Sequence, residues 1–451
     1  MSNTGVNIRV LINSLWVRLQ GDGIGAVLAR GAGGAFAVSV LGAVMAFGTN
    51  VLLARLMGVT QYGVYIYALT WINLLALVSK LGMDTSLLRF VAAYNAKAEW
   101  GLFRGILNHS VLYVFIVSVF IGVTVALIIW FLEEHVGLNQ AKTFWIALLL
   151  LPLLSLTALR GAALRALKHI VQSGLPDSFI RPLLIATLAS LTYLYTQQNL
   201  QSTQVMVFNI IGALIAFYIG TLWLLKALPI QLRHIQPVYV GREWLKVSLP
   251  LFFISGMHLI LHQTDIIMIG VMLDTEQAGI YAVVSRIAGL VLFGLTAINA
   301  IVVPMISELY STGQYQKLQK MITLAARGIF IITLVVSLSL VILGKYILGL
   351  FGDEFVIGYI ALLILLAGQT INALAGSVGF LMTMTGHQNK AAQILGVSAL
   401  VNIMLNVILI FNFGVIGAAI ATATSTALWN ILMLGYVWHQ LKFNPTIFAK
   451  G

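Results

Sequence analysis

The sequence predicts an all-α polytopic membrane protein with about twelve transmembrane helices, arranged as two parallel repeats of about six helices each. Three observations carry this prediction: the composition, a succession of long apolar runs, and a motif that recurs at a constant offset. The chain of 451 residues is 60% hydrophobic and only 8% charged, with a mean hydropathy of +1.00. Soluble domains carry about a quarter charged residues, so this chain lacks the side chains to cover a surface in water.

The composition also excludes several classes of function. The chain has no cysteine, which removes thiol catalysis, disulfides and cysteine-based metal sites. Its net charge of +12 is scattered between apolar runs instead of forming a basic domain, so we expect no nucleic-acid partner. Because the sequence has no Gly-rich phosphate loop and no long outer loop with paired carboxylates, we expect neither an enzyme nor a cofactor.

The N-terminal segment, residues 1–30, is expected to lie on the membrane surface as an amphipathic helix. Ile8, Leu11, Ile12 and Leu15 recur at helical spacing, which is the pattern of an interfacial helix. Its arginines and the absence of a small-residue cleavage pattern argue against a cleaved signal peptide.

Apolar runs long enough to cross a bilayer follow one another along the rest of the chain. A hydrocarbon core of about 30 Å needs about 20 apolar residues per helix. The predicted spans are Gly33–Leu56, Val64–Leu81, Asn108–Leu132, Phe144–Leu167, Phe179–Thr196, Val205–Leu225, Leu249–Leu273, Ala278–Val303, Ile329–Leu348, Ile360–Met384, Ala391–Phe411 and Val415–Trp438. Backbone groups in lipid must be satisfied within each segment, so these runs are predicted to be helices.

The distribution of positive charge predicts the orientation. Of the 25 Lys and Arg residues, only Lys142 and Lys345 fall in loops after odd-numbered spans. Cytoplasmic loops carry the excess of Lys and Arg in membrane proteins. We therefore expect a multi-pass protein of the cytoplasmic (inner) membrane with both termini in the cytoplasm.

A short motif recurs at a constant offset. Gln61–Tyr65 (QYGVY) reappears as Gln277–Tyr281 (QAGIY), 216 positions later. The register holds over about fifty residues, which indicates a duplication, and an even number of spans per copy makes the copies parallel. The expected organisation is an amphipathic segment over 1–30, an N-lobe over 31–228, a cytoplasmic linker over 229–244, a C-lobe over 245–440 and a cytoplasmic tail over 441–451.

Several motifs resemble those of a known transporter family. Ala54–Tyr65 is similar to the opening signature of the oligosaccharide and polysaccharide flippases, and Gly82–Phe90 resembles the element that follows it. Asp265 and the segment Gly279–Arg286 resemble the corresponding repeat in the second half. This family belongs to the superfamily that also contains the multidrug and toxin extruders and the lipid II flippases.

The resemblance implies a function and a substrate. It implies export of a lipid-linked oligosaccharide on undecaprenyl diphosphate for surface polysaccharides such as O-antigen, with a polysaccharide polymerase and glycosyltransferases as functional partners beside the membrane lipid. Three alternatives stay open: a cation-coupled multidrug exporter, a lipid II flippase, and a membrane-embedded glycosyltransferase or ligase. The scarcity of acidic residues in the spans argues against the first, since a site for cationic drugs should offer carboxylates and aromatic faces.

Four arginines are the candidates for binding the headgroup in a cationic cavity. Arg89 lies on the cytoplasmic segment after the second span, and Arg160, Arg181 and Arg286 lie inside predicted spans. A charge at a helix centre costs about 2.5–3.5 kcal/mol on insertion scales, so intramembrane arginines should face protein or water. Guanidinium groups bind phosphate through two parallel hydrogen bonds, and we expect these side chains to contact an anionic diphosphate.

Asp265 is the one acidic residue inside the predicted spans, and we expect it to pair with Arg286. The two residues are nearly equidistant from the loop at Thr275, so antiparallel helices would bring them to the same depth. The pair would be either a static link or a switch that protonation of Asp265 opens. His258 and His262 lie on the same helical stripe as Asp265 and would assist such coupling. We expect no metal, because this stripe has no obvious fourth ligand for zinc.

Overall fold

The computed structural model describes residues 24–131 and 137–449, and every regular element in these ranges is helical. The helices are α1 Ile24–Lys80, α2 Met83–Ala96, α3 Trp100–Phe131, α4 Leu138–Leu148, α5 Leu150–Ala166, α6 Ile170–Leu175, α7 Arg181–Thr196, α8 Ser202–Ala227, α9 Gly241–Met272, α10 Thr275–Gly289, α11 Leu292–Ser311, α12 Tyr315–Gly349, α13 Tyr359–Ala375, α14 Val378–Met384 and α15 Gln388–Tyr436. Residues 1–23 of the predicted amphipathic segment lie outside the described residues, and 24–30 belong to α1.

The number of candidate spans is smaller than predicted. By length and composition, eight helices of the described part are able to cross a membrane, or nine if Thr275–Gly289 and Leu292–Asn299, bent by 44°, are taken together as one span. The prediction of an all-helical membrane protein is therefore confirmed. The count of about twelve is not.

Two bent helices account for part of this difference. The apolar stretches Val38–Lys80 and Gln388–Leu441 contain 43 and 54 residues, whereas a bilayer core is crossed by about 20. Each stretch is interrupted by a glycine at positive φ, Gly58 (φ 74°, ψ 166°) and Gly414 (φ 56°, ψ −135°). Glycine adopts such angles readily because it has no Cβ, so each long helix bends there and contains two apolar runs.

Helix α9 connects the helices before it, α1–α8, which we call the N-half, to those after it, α10–α15, which we call the C-half. Its first turns pack on α2: the Trp244 indole nitrogen donates to the Tyr94 hydroxyl at 3.0 Å, and the Ser248 and Ser86 hydroxyls lie 2.7 Å apart. Its last turns contact the C-half through Asp265. Helix α9 therefore forms hydrogen bonds with both halves.

The segment before α9, predicted as a cytoplasmic linker, is attached to the N-half. The Arg104 guanidinium of α3 donates to the carbonyls of Leu232 at 3.2 Å, Arg233 at 3.3 Å and Ile235 at 2.8 Å. The Val238 amide donates to the carbonyl of Gly101 at 2.9 Å. This part of the chain therefore packs against the first turns of α3.

The N-half and the C-half meet directly where α1 bends and α10 begins. The Thr60 hydroxyl donates to the Glu276 carboxylate at 2.8 Å. One turn further along both helices, Gly63 and Gly279 lie in such close contact that a Cβ on Gly279 would be 2.6 Å from the Gly63 Cα. Both contacts join residues that are 216 positions apart, the offset of the repeated motif.

Candidate functional site

A cavity of about 740 Å³ lies between the N-half and the middle of α9. Its wall carries three basic residues: Arg165 at the end of α5, Arg181 at the start of α7 and Lys80 at the end of α1. One acidic residue, Asp177, also lines it, as does Gln263 of α9. We call this space the cationic cavity.

Two of these cations keep their charge available to a ligand. Arg165 is exposed and Arg181 is partly buried, and neither forms an ion pair with a described residue. Lys80, by contrast, is bonded to Asp84 at 2.8 Å. The Nε of Arg181 donates to the Asn209 side-chain oxygen at 2.8 Å, which fixes the direction of the guanidinium. The cavity therefore presents two arginines to whatever occupies it.

Arg160, predicted as a diphosphate contact, lies inside the helix packing. It is 4% exposed, and its guanidinium bonds the Asp177 carboxylate at 2.5 Å and the carbonyls of Ala216 and Phe217 at 2.8 and 3.1 Å. The absence of a side chain at Gly220 makes room for it, because a Cβ there would overlap the guanidinium. Arg160 is not on the wall of the cationic cavity, and its contact with the headgroup stays a prediction.

Arg89 and Arg286 also lie away from this wall. Arg89 is exposed on α2, 5.9 Å from the ring of Phe90. Arg286 is exposed on α10 and donates to the hydroxyl of Tyr62, in the N-half, at 3.3 Å. Of the four predicted arginines, the structure brings only Arg181 to the cationic cavity.

Sequence reasoning missed Arg165 and Lys80 as cavity residues. Both lie at the ends of helices, where basic residues are common on the cytoplasmic side of membrane proteins. The spacing of the two arginines could have indicated the role of Arg165. Arg165 follows Arg160 by five residues on one helix, and five residues rotate the direction of a side chain by about 140°. One of the two had to face away from the packing that buries the other.

Asp265 does not pair with Arg286. The carboxylate accepts hydrogen bonds from the Tyr281 hydroxyl at 2.7 Å, from the Asn406 amide at 2.7 Å and from the Thr422 hydroxyl. It is 2% exposed, and the described salt bridges do not include it. The predicted ion pair is therefore wrong, and three neutral donors stabilise the carboxylate instead.

The ion pair does not form because of the way α10 is rotated about its axis. Tyr281 and Arg286 are five residues apart, so when Tyr281 faces Asp265 the arginine points about 140° away. The prediction rested on depth, which does not determine which face of α10 meets Asp265. The side chains of His258 and His262 lie outside the described residues, and the coupling role of all three residues stays a prediction.

A second cavity, of about 320 Å³, lies within the C-half. Helices α11, α13, α14 and α15 enclose it. Its described wall has no charged residue, and we call it the neutral cavity. The polar wall residues are Asn299, Gln369, Asn372, Ser377, Thr383, Thr422, Ser425 and Thr426, and the aromatic ones are Phe380 and Trp429.

Comparison with known sequences identifies a family. Residues 28–310 match the model of a family described as "Polysaccharide biosynthesis protein". This range is more than half of the chain and includes the bend at Gly58, the cationic cavity and Asp265.

Two relatives come from Haloferax volcanii. A probable low-salt glycan biosynthesis flippase is 26% identical over 174 residues, which are 38% of this chain and 37% of the relative. A probable flippase is 31% identical over 192 residues, or 42% of this chain and 40% of the relative. The alignments thus span about two fifths of these relatives' length.

Solved structures share the fold. An inward-facing multidrug resistance transporter of the MATE family superposes with a TM-score of 0.69 at 15% identity, covering 96% of this chain and 97% of its own. A transporter of the same superfamily from Pyrococcus furiosus gives 0.65 at 15% identity, with 94% and 97% covered. The lipid II flippase MurJ in an inward closed conformation gives 0.66 at 15% identity, with 89% and 87% covered. The chain therefore has a MATE-like fold over most of its length.

Proposed function

Because the chain belongs to the polysaccharide biosynthesis protein family, we propose that it is a flippase for a lipid-linked oligosaccharide on undecaprenyl diphosphate. In this proposal the headgroup crosses the cytoplasmic membrane through the space between the halves while the polyprenyl tail stays in lipid. Glycosyltransferases would supply the substrate, and a polysaccharide polymerase would consume it. One relative is named a probable low-salt glycan biosynthesis flippase and another a probable flippase, which supports the substrate class.

The observation that carries the proposal is the cationic cavity. Arg165 and Arg181 present two guanidinium groups without a carboxylate partner among the described residues. A guanidinium binds phosphate through two parallel hydrogen bonds, and low dielectric surroundings strengthen the attraction. A cationic drug would be repelled by the same groups, which favours the glycan flippase over a multidrug exporter. The fold does not separate these alternatives or the lipid II flippase, since all three share it.

The arrangement of the halves supports alternating access by two parallel lobes of about six spans each. In a two-fold arrangement, a residue contacts its own equivalent only beside the axis. Thr60 contacts Glu276, and Gly63 contacts Gly279, one turn apart along two helices. An axis that follows these helices runs along the membrane normal. The bends at Gly58 and Gly414 would each divide one long helix into two spans. The number of spans would then be closer to the predicted count of about twelve.

The proposed orientation, with both termini in the cytoplasm, is tested by thiol labelling. The chain has no cysteine, so single cysteines are introduced without a background. Gln198, Gln236 and Asn412 are exposed in the structure. We expect Gln198→Cys and Asn412→Cys to react with a membrane-impermeant maleimide in intact cells, and Gln236→Cys to react only after lysis. Labelling of Gln236→Cys in intact cells would mean that the proposed orientation is wrong.

The proposed substrate contact is tested by binding of a short-chain polyprenyl diphosphate to the purified protein in nanodiscs. We expect the double variant Arg165→Gln/Arg181→Gln to bind at least about 100-fold more weakly, because each hydrogen bond to a charged group contributes about 1.5–3 kcal/mol and 1.4 kcal/mol is tenfold. Affinity is measured by thermophoresis, with thermal unfolding as the check on folding.

A matched double variant controls for the loss of positive charge. Arg233→Gln/Lys168→Gln removes two exposed cations that are not on the cavity wall, and it should bind within about threefold of the unmodified protein because exposed charges are screened. Equal weakening by both double variants would mean that net charge, and not the cavity, binds the diphosphate.

A further inference from the structure

The neutral cavity differs from the cationic cavity in the chemistry of its wall. Amide and hydroxyl side chains supply both donors and acceptors, and two aromatic residues, Phe380 and Trp429, lie beside them. Its volume of about 320 Å³ is at the lower end of the range for small-molecule sites, about 300–1,000 Å³. A diphosphate has no cation to bind there. A neutral ligand that is rich in hydroxyl groups matches the wall.

We propose that the neutral cavity binds sugar residues of the lipid-linked headgroup, at a distance from the diphosphate in the cationic cavity. This inference rests on the proposed function and assigns a second subsite to it. The hydroxyl groups of a sugar donate to and accept from amide side chains. The apolar face of its ring packs against an aromatic side chain, as Trp429 and Phe380 offer.

One polar atom in the wall lacks the partner that such a ligand would supply. Asn299 lines the cavity and is 3% exposed, and its side-chain nitrogen has no hydrogen-bond partner among the described residues. The oxygen of the same amide accepts from the Ser377 hydroxyl at 2.5 Å, so in this structure the amide nitrogen is the free end. Buried donors are rarely left without a partner, because an unmade hydrogen bond is costly. A sugar hydroxyl is an acceptor of the right chemistry.

The position of α9 indicates which part of the glycan reaches this cavity. Gln263 lines the cationic cavity, and two residues later Asp265 accepts from Thr422, which lines the neutral cavity. Helix α9 therefore stands between the two spaces. A helix with its side chains is about 10 Å across, a distance that a chain of two or three sugars covers. The sugar bound in the neutral cavity is thus beyond the first one attached to the diphosphate.

The experiment compares lipids that differ only in the glycan. The probes are a short-chain polyprenyl diphosphate and the same lipid carrying three N-acetylglucosamine, three galactose or three mannose units, each measured with the purified protein in nanodiscs. We expect at least one glycan to tighten binding by about tenfold over the bare lipid. Trp429→Ala should remove this gain and leave the affinity for the bare lipid unchanged.

Two further variants keep the result interpretable. Trp438→Ala removes an exposed tryptophan near the end of the same long helix and should retain the gain. Gln369→Leu preserves the approximate volume of the side chain and removes its amide, and it should reduce the gain even if Trp429→Ala fails to fold. The free trisaccharide should compete with the glycan-bearing lipid and not with the bare one.

The outcomes separate the two proposals. If the unmodified protein binds all four lipids equally, or if Trp429→Ala and Gln369→Leu both keep the gain, the neutral cavity is not the sugar subsite and the flippase proposal stands. If the protein binds none of the lipids, the proposed function itself fails. A gain that is lost in both variants and kept in Trp438→Ala supports the inference.

Discussion

Replacing Gly279 with alanine is expected to reduce transport by at least about tenfold, although alanine is the better helix former. Intrinsic propensity favours alanine over glycine by about 1 kcal/mol in a helix interior. The added Cβ, however, would lie 2.6 Å from the Gly63 Cα, and backbone atoms of both helices would have to move. Overpacking of this kind costs about 1–3 kcal/mol. The cost falls on the conformation in which the halves touch, so that conformation becomes less populated.

Transport of a fluorescent lipid-linked glycan into the outer leaflet of proteoliposomes measures the effect. A second readout reports the contact itself: Thr60→Cys/Glu276→Cys should cross-link with a short bifunctional thiol reagent, since the native side chains are hydrogen-bonded at 2.8 Å. Adding Gly279→Ala to this pair should lower the cross-linking yield several-fold.

Matched glycines on the same helices provide the controls. Gly289→Ala on α10 and Gly48→Ala on α1 add a Cβ that meets nothing within 4 Å, so both should transport normally. Gly63→Ala should behave like Gly279→Ala, because its Cβ would overlap the Thr275 carbonyl. Normal transport and cross-linking in both contact variants would falsify the idea that this close contact belongs to the transport cycle.

The repeat could be predicted from the sequence, whereas the contact between its copies could not. Gln61–Tyr65 and Gln277–Tyr281 are recognisable because the same residue types recur at one offset. Their direct contact depends on where the axis passes, and no property of a single copy determines that position. The glycines Gly63 and Gly279 were visible as part of a motif. Only the three-dimensional packing shows that the two helices can approach this closely because both residues are glycine.

The candidate site shows a similar division between what was predictable and what was not. That arginines would supply a cationic cavity followed from composition, and Arg181 lies there. Which arginine on α5 faces the cavity depends on its angular position around the helix axis. The prediction from the sequence considered only how deep each arginine lies in the membrane, so it could not distinguish the two. Asp265 failed for the same reason. Two of its three partners, Asn406 and Thr422, lie more than 140 residues away, and no local pattern connects them to it.

Breaking the ion pair between Arg160 and Asp177 is expected to have the second large effect, on stability and not on substrate binding. Arg160→Met removes the buried member of the pair and leaves the partly exposed Asp177 carboxylate without its 2.5 Å partner. Removing one member of a fully buried pair costs about 3–5 kcal/mol, and we expect a smaller loss here because Asp177 is partly exposed. We therefore expect a lower yield of folded protein and a lower midpoint of thermal unfolding in nanodiscs. The double variant Arg160→Met/Asp177→Leu should recover much of the loss, since an apolar pair often replaces a buried ion pair without cost.

Comparison with Arg165→Met, five residues along the same helix, separates folding from binding. Arg165 is exposed, lines the cationic cavity and has no ion-pair partner among the described residues, so its loss should leave the unfolding midpoint nearly unchanged. It should weaken binding of polyprenyl diphosphate about tenfold. The folded fraction of Arg160→Met/Asp177→Leu should bind this lipid at least as tightly as the unmodified protein does, because Arg165 and Arg181 remain in place and an acidic residue of the wall is gone. If Arg160→Met instead folds normally and loses the lipid, Arg160 belongs to the substrate site in another conformation, and its bond to Asp177 is a resting position from which the guanidinium is released.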